Sequence, residues 1–575
     1  MEFKTLTAYL QKLEGTSSRI EITKILADVF QKLSPAEIDK AVYLILGILA
    51  PGYSGAVFNM AERMVIRAIA GAFDQKPENI TSLYKQKGDL GEVVVVVGTL
   101  KKASKLSVSE VYQKLFDIAK DAGEESQERK VGKTSELLKV LDPEGAKYIT
   151  RIILGKLRLG FSDKTILDAL SWMETGGKDR KKELEGAYNI LPDVGFLAKA
   201  VKKKGVTVAT KKIVPQLGVP MLPMLMARLK SPKEMIEKMK VVYVEPKFDG
   251  LRIQIHFKKA GFVGGTQVKA FTRNLRETSW MFPELAGVGK YIKAKEAILD
   301  TEAVGVDEER KAMANFQTTM TRRRKHDIEE MASKVSIKFN VFDVMFLDGD
   351  SLVYLPYYKR RQALSKWVIS GDLLRVVGFE ETANPKKIEE LMARNLKDGL
   401  EGIAVKKKDS QYIAGRTGFR WVKMKEKESQ KAKLADTIDA VVMGYYKGRG
   451  KRSDFGLGGF LVGIPKGESV LTLTKIGTGL SDKQFRQLKA GLSNLETKLK
   501  PASYTSVNKT LMPDVWVNPA MVVEIAADEI TKSPIHSSGY ALRFPRLVKF
   551  REDKGVSNAT TLSEVSQLFK LQKAS

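Results

Sequence analysis

Residues Val241 to Gln254 read VVYVEPKFDGLRIQ, an apolar run broken by a glutamate, a lysine, an aspartate and an arginine. Core packing does not call for that mixture. Tyr243, Val244 and the apolar residues after Gly250 predict two strands, with Pro246 to Gly250 as the turn or bulge between them. Lys247 then sits on the turn beside the interior, where desolvation lowers an amine's pKa and makes it a usable nucleophile. A solvated lysine on a hairpin accounts for K-x-D-G equally well, and the stretch by itself does not separate the two.

The composition of the chain narrows the choice. Its 575 residues exceed what one hydrophobic core organises and predict about three or four domains. Hydrophobic residues at 43% and charged residues at 29% belong to an ordinary globular protein. Lysine and arginine total 97 against 68 aspartates and glutamates, and a net charge of +29 points to a polyanionic partner, nucleic acid first. With no cysteine, disulfides, cysteine zinc sites and a thiol nucleophile are all excluded. The three histidines, His256, His326 and His536, are too scattered for a metal cluster, so a metal would be a hard ion held by carboxylates and phosphates. No basic segment followed by an apolar stretch opens the chain, and the longest apolar run, near Ala41 to Ala50, is too short to span a bilayer. A cytoplasmic protein with no membrane partner is expected.

From Met1 to about Val219 the pattern is helical. Ser18 to Glu21 reads as a capping box ahead of Ile22, Ile25, Leu26, Val29 and Phe30, which share one helical face. Ser34-Pro35-Ala36-Glu37 predicts a second N-cap, with Pro51-Gly52 ending that helix. Val93 to Val97 is β-branched but lies among helical patterns and is assigned to helix. Ile153 to Phe161 alternates basic and apolar residues around two glycines, which suits either phosphate contact or a helix end with solvated charges. Lys199 to Lys212 reads as surface or linker approaching a boundary near Pro220. Gly132-Lys133-Thr134 mimics the end of a phosphate-binding loop, but Gln127 stands where that motif needs glycine.

Strands and helices mix from about Met221 to Glu428, predicting an α+β domain on antiparallel sheets. The strand-like runs are Val241 to Val244, Leu251 to Phe257, Gln267 to Phe271, Ala297 to Val306, Val335 to Phe346 and Gly402 to Lys406. Helical stretches fall near Tyr358 to Ser370 and at Lys386 to Leu396. Short strands with glycine turns follow at Ile438 to Tyr446, Gly458 to Ile464, Val470 to Ile476 and Val522 to Ala526, with a helix at Ser481 to Leu495. That pattern is compatible with a small barrel of the OB type. The expected domains are thus all-α over 1–220, α+β over 221–428 and a β-barrel over 429–575.

Charged residues repeatedly interrupt the apolar strands of the middle domain: Glu302 in ILDTEAVG, Asp343 beside Phe342 in FNVFDVMFLDG, Glu401 in DGLEGIAVKK, and Lys423 and Lys425 in RWVKMK. A solvated strand face explains one such case. Several together carry both signs suited to a metal–nucleotide site, because unpaired buried charge is expensive. The ordered series EPKFDGLR, FTRNLRETS, LDTEAVG, FNVFDVMFLDG, DGLEGIAVKK, RWVKMK and ALRFPRLVKFREDK closely resembles the motifs of the covalent nucleotidyltransferases. Within them it is most similar to the ATP-dependent DNA ligases of the archaeal and eukaryotic replicative type. The likeness spans the whole chain, since GDLGEV at Gly88 to Val93 and LGKLRLGFSD look like that family's helical DNA-binding domain.

The resemblance implies a three-step reaction: Lys247 attacks the α-phosphate of ATP, AMP passes to a DNA 5′-phosphate, and the 3′-hydroxyl displaces AMP, as in replication, repair and recombination. It implies that Glu245 recognises adenine through nearby backbone groups, Phe342 stacks on the base, and Arg252 and Glu302 hold α-phosphate and ribose. Lys423 and Lys425, with the metal, would lower the pKa of Lys247 and stabilise the phosphoryl charge. Glu401 and Glu302 would bind Mg²⁺ or another divalent ion, while Asp249 orients Lys247 or assists a metal later. Arg273 and Arg416 match positions for the 5′-phosphate or the nucleotide. Arg543, Arg546, Arg551, Asp553 and Lys554 match a mobile OB-domain segment that meets the β- and γ-phosphates. Nicked duplex DNA is the expected partner, contacted chiefly through its backbone by a monomer. A sliding clamp is a further partner of such enzymes, but no clear clamp peptide is recognisable.

Three rivals share parts of this pattern. An RNA ligase or capping nucleotidyltransferase would not need the large helical region or RFPR. An NAD-dependent ligase usually carries a four-cysteine zinc module. A non-catalytic DNA-binding scaffold would have little reason to keep Lys247, Glu302, Glu401 and Lys423 together.

Overall fold

The chain divides into two units, Met1–Met424 and Lys425–Ser575. The computed structural model describes all residues except 99–104, 158, 212, 230, 263–264, 266, 308–311, 314–335, 416–417, 426–436, 449–454, 478–479 and 575.

The first unit begins with helices, from Phe3–Glu14 to Val194–Thr210, packed on one apolar cluster that runs from Phe3 to Val206. Ser18 caps the helix Arg19–Lys32 by accepting the Glu21 N–H, and Ile22, Leu26, Val29 and Phe30 are buried on its inner face. The next helix starts later than its sequence signal. Ser34 Oγ donates to the Glu37 carboxylate at 2.8 Å, Pro35 lies in a turn, and the helix is Ile38–Leu46. It also stops early, at left-handed Gly47 (φ 72°) rather than at Pro51-Gly52. The valine run is the helix Leu90–Val97, whose Asp89 cap accepts the Gly91 and Glu92 N–H groups. Core burial of Val93 and Val94 outweighs their strand preference.

Lys199 to Lys212 is not linker. Most of it lies in the helix Val194–Thr210, bent at Gly205, and Lys202 Nζ donates to the carbonyls of Phe30 (3.0 Å) and Gln31 (2.8 Å) at the end of an earlier helix. After Ile153 a helix ends on left-handed Gly155. Lys156 there pairs with Glu62 at 2.5 Å and Leu157 is buried, which is the helix-end reading of that segment. The Gly132-Lys133-Thr134 decoy lies inside the helix Ser126–Val140.

Two sheets follow, built from β1 (Val242–Lys247), β2 (Leu251–Lys258), β3 (Val268–Thr272), β4 (Glu296–Asp307), β5 (Ala312–Met313), β6 (Ser336–Leu347), β7 (Asp350–Ser351), β8 (Leu374–Val376), β9 (Glu380–Thr382), β10 (Gly402–Lys407) and β11 (Trp421–Lys425). One sheet has the order β11-β10-β1-β9 and the other β3-β2-β4-β6-β7, with β5 on β4 and β8 on β6. All pairings given for these strands are antiparallel except β6 with β8. β1 and β2, consecutive in sequence, therefore belong to different sheets. Phe248 to Gly250 is a crossing between two layers, and the hairpin reading of Lys247 fails on that point. Gly250 is required there, because a Cβ would stand 2.4 Å from the Ala303 carbonyl oxygen on β4.

The segment before β1 is fastened to β2. Arg252, Gln254 and His256 alternate onto one face of that strand. They bind, respectively, the Met224 carbonyl (2.7 Å), the Met221 N–H and carbonyl (2.8 and 3.2 Å) and the Gly218 N–H (3.0 Å).

The second unit carries β12 (Ile438–Tyr446), β13 (Gly459–Lys466), β14 (Ser469–Ile476), β15 (Glu496–Thr497), β16 (Val515–Val517), β17 (Val522–Ala526), β18 (Glu529–Lys532), β19 (Tyr540–Arg543) and β20 (Arg546–Phe550). Its main sheet has the order β14-β13-β12-β16-β15, with β17 joining β12 to β20, and the helix Asp482–Ser493 follows β14. No helix among the described residues is long and apolar enough to cross a membrane.

Candidate active site

Strand alternation sorts β1 into two faces. Val242 and Val244 pack towards the helices Pro232–Met239 and Pro385–Lys397, while Tyr243 joins a cluster with Phe248, Phe342 and Trp421 between the sheets. Glu245 and Lys247, two and four residues beyond Tyr243, follow it onto the same side. The antiparallel register sets Lys247 opposite Gly402, and the Glu401 N–H donates to the Lys247 carbonyl at 3.1 Å.

Lys247 Nζ forms a close ion pair with Glu401 and donates to the Phe248 carbonyl at 3.3 Å. Burial pulls the pKa of this ammonium below the usual lysine range. Glu302 and Asp249 oppose that shift, and Arg252 is the cation that reinforces it. Desolvation, not Lys423 or Lys425, is thus the main cause of the lowered pKa. Burial also pushes the Glu302 carboxyl up to about 7, against the pull of Lys247, Arg252 and the Gly250 N–H.

Arg252 is committed within the protein. Its guanidinium forks onto Asp300 through Nε (2.9 Å) and Nη2 (2.6 Å), and lies 5.4 Å from the Phe342 ring centroid. Tyr412 Oη donates to the same aspartate at 3.1 Å. Glu245 is equally occupied: one oxygen accepts from Tyr357 Oη, the other from Lys406 Nζ at 2.6 Å. The Lys406 ammonium sits 4.4 Å from the Phe342 centroid and 4.3 Å from that of Trp421.

The structure therefore brings together Lys247, Glu245, Asp249, Arg252, Glu302, Phe342 and Glu401. Arg273 is exposed on the turn after β3, and Lys423 is half-buried on β11, its N–H bonded to the Ala227 carbonyl at 3.0 Å. Lys425 ends β11, where the second unit begins, and Arg416 lies outside the described residues.

In the second unit Arg551 pairs with Asp439 (3.0 Å), Asp553 (2.7 Å) and Glu524 (3.5 Å), and Lys554 with Asp439 (2.6 Å). Arg546 meets Asp528 at 2.8 Å and Arg543 meets Glu529 at 3.7 Å. These cations are held by carboxylates of their own unit.

Sequence reasoning missed Asp300, Tyr357, Arg360, Lys406 and Tyr412. Asp300 had a signal, standing two residues before Glu302 on one strand and hence on its face. For the others no local pattern reveals burial.

Three family models cover most of the chain: DNA ligase N terminus over residues 2–171, ATP dependent DNA ligase domain over 223–425, and ATP dependent DNA ligase C terminal region over 453–554. The probable DNA ligase of Dictyoglomus thermophilum is 39% identical over 584 residues, covering 100% of this chain and 98% of that protein. The chain belongs to the ATP-dependent DNA ligase family. The DNA ligase of Saccharolobus solfataricus is 35% identical over 605 residues, with 100% and 98% covered. A solved structure named Pmar-Lig_PreS3 shares the ligase fold over 95% of this chain and 99% of its own, at a TM-score of 0.52 and 17% identity. The ligase uses ATP to seal nicks in duplex DNA, by the lysyl-AMP route general to its family.

Proposed function

We propose that Lys247 is the residue that carries AMP. The observation that supports it is a desolvated amine at the crossing between two sheets, with Glu302, Glu401 and Arg252 around it. As a free base, Nζ attacks the α-phosphorus of ATP: the N–P bond forms, the P–O bond to the β-phosphate breaks, and pyrophosphate leaves. Phe342 receives the adenine ring and Glu245 recognises the base together with nearby backbone groups. Arg252 and Glu302 face ribose and α-phosphate, and Lys423 and Lys425 stabilise charge on the phosphoryl oxygens. Arg273 and Arg416 serve the DNA 5′-phosphate or the nucleotide. The cations Arg543, Arg546, Arg551 and Lys554 serve the leaving pyrophosphate, with Asp553 orienting Arg551.

The donor set fits Mg²⁺. Glu302 and Glu401 are hard oxygen ligands beside the nucleophile, and no group of three or more histidine, aspartate or glutamate side chains among the described residues would form a closed metal cage. Such an ion is held by one or two carboxylates plus substrate phosphates and neutralises charge there. We take the second unit to be an OB-fold barrel, the boundaries to be 1–220, 221–428 and 429–575, and the enzyme to act as a cytoplasmic, DNA-associated monomer in replication, repair and recombination.

Incubation with α-labelled ATP and Mg²⁺ tests the central assignment. Acid-labile, covalently bound AMP is expected on the wild-type chain and none on Lys247→Ala; label persisting on the variant sinks it.

A further inference from the structure

Packed against β6, one face of a helix carries three buried polar side chains. The helix Tyr357–Trp367 spaces Tyr357, Arg360 and Arg361 at three and four residues, which places them together. Arg360 forks onto Asp343 through Nε (2.9 Å) and Nη2 (3.0 Å), with both side chains fully buried, and its Nη1 reaches the Leu355 and Ser410 carbonyls. Arg361 donates to the Phe342 carbonyl at 3.3 Å and to the Val377 carbonyl.

Tyr357 is the point where these groups meet. Its Oη touches Glu245 Oε1, receives a hydrogen bond from Lys406 Nζ at 2.9 Å and lies 2.9 Å from the Phe342 carbonyl oxygen. A phenol has one proton to give. The carboxylate is both the nearer acceptor and the charged one, so it takes that proton, and the Phe342 carbonyl is served by Arg361. Burial and the negative Glu245 raise the phenol's pKa well above its ordinary value, which keeps it a donor.

We propose that Tyr357 and Arg361 are positioning residues of the base site: Tyr357 fixes Glu245 as a hydrogen-bond acceptor, Arg361 holds the Phe342 backbone in place, and together they select a purine with a donor at its 6-position. The inference rests on the base-binding roles of Glu245 and Phe342 proposed above. A carboxylate offers about four acceptor positions, and Tyr357 and Lys406 take two of them. Those that remain can only accept. A 6-amino group satisfies them, whereas a 6-oxo group sets acceptor against acceptor.

Tyr357→Phe removes the hydroxyl and keeps the ring that packs against Trp421 and Tyr243. Self-adenylation of the full-length chain with labelled ATP is expected to show KM raised about tenfold and kcat changed less than about threefold. With labelled GTP in a parallel reaction, the preference for ATP is expected to fall by about the same tenfold. Arg361→Lys, which keeps a donor and a charge, is expected to raise KM less than Arg361→Met does. Unchanged KM and unchanged ATP preference in Tyr357→Phe overturn the proposal, whatever the melting temperature does. Phe342→Ala separates this inference from its premise. If that variant leaves KM for ATP untouched, the base-pocket reading falls and takes the inference with it. If it raises KM while Tyr357→Phe does not, only the positioning role falls.

Discussion

Two ion pairs of the two-sheet region and two of the second unit are built from the same kinds of charged side chain and differ in water. Arg360–Asp343 and Lys406–Glu245 have side chains at most 2% exposed. Arg546–Asp528 and Arg543–Glu529 are about a quarter to a third exposed on every partner. A buried pair cannot trade partners without stranding a charge, so it acts as a fixed frame. A wet pair gains little from staying together and can give its cation to an incoming phosphate. One set suits holding a base in a single geometry, the other meeting a nucleotide transiently.

That contrast can be broken by experiment. Arg360→Met strands Asp343 and is expected to cost about 3–5 kcal/mol in denaturant unfolding, as removal of one partner of a buried pair does. A loss below about 1 kcal/mol would put the two regions in the same class. Arg546→Ala is expected to do the reverse, slowing self-adenylation about a hundredfold while the melting temperature moves by no more than about 2 °C. A large fall in melting temperature with normal adenylation would make Arg546 a structural residue.

The smallest effect is a pH dependence. Burial holds the Glu302 carboxyl near 7 in the folded chain, against an ordinary value near 4.5, so between those values the native state keeps a proton that the unfolded chain has released. The associated stability is complete below about 4.5 and is lost as pH rises through about 7. In metal-free buffer the wild type is expected to lose about 1–2 kcal/mol between pH 5 and pH 8 relative to Glu302→Gln, read from denaturant midpoints. Parallel pH profiles for the two proteins would show that Glu302 is not desolvated.

Long periodic segments are legible in the sequence. The strands carrying Glu302 and Phe342, the strand that begins just after Glu401 and the helix Pro385–Lys397 lie where alternation and helical spacing place them, whereas Lys247, expected on a turn, ends β1. The short strands Leu374–Val376 and Glu380–Thr382 are not legible, because their order comes from pairing with β6 and β1. Nor does the run around Lys247 reveal that its two strands enter different sheets, since the contact that demands Gly250 is with Ala303, far along the chain. Nor does it reveal that Arg252 is paired with Asp300, 48 residues away. Tyr357, Arg360 and Arg361 defeat pattern reading most fully. A Tyr-x-x-Arg-Arg face looks solvated, and it is buried because the strand it covers is polar there.

The segment Gly218 to Met224 works as a rivet through two layers. On one side Arg252, Gln254 and His256 hold its backbone to β2, and on the other the Leu222 N–H donates to the Asn189 carbonyl of the helix Lys181–Ile190 at 3.0 Å. Because Arg252 grips both this segment and Asp300, lifting the segment off β2 breaks the guanidinium's bond to the Met224 carbonyl.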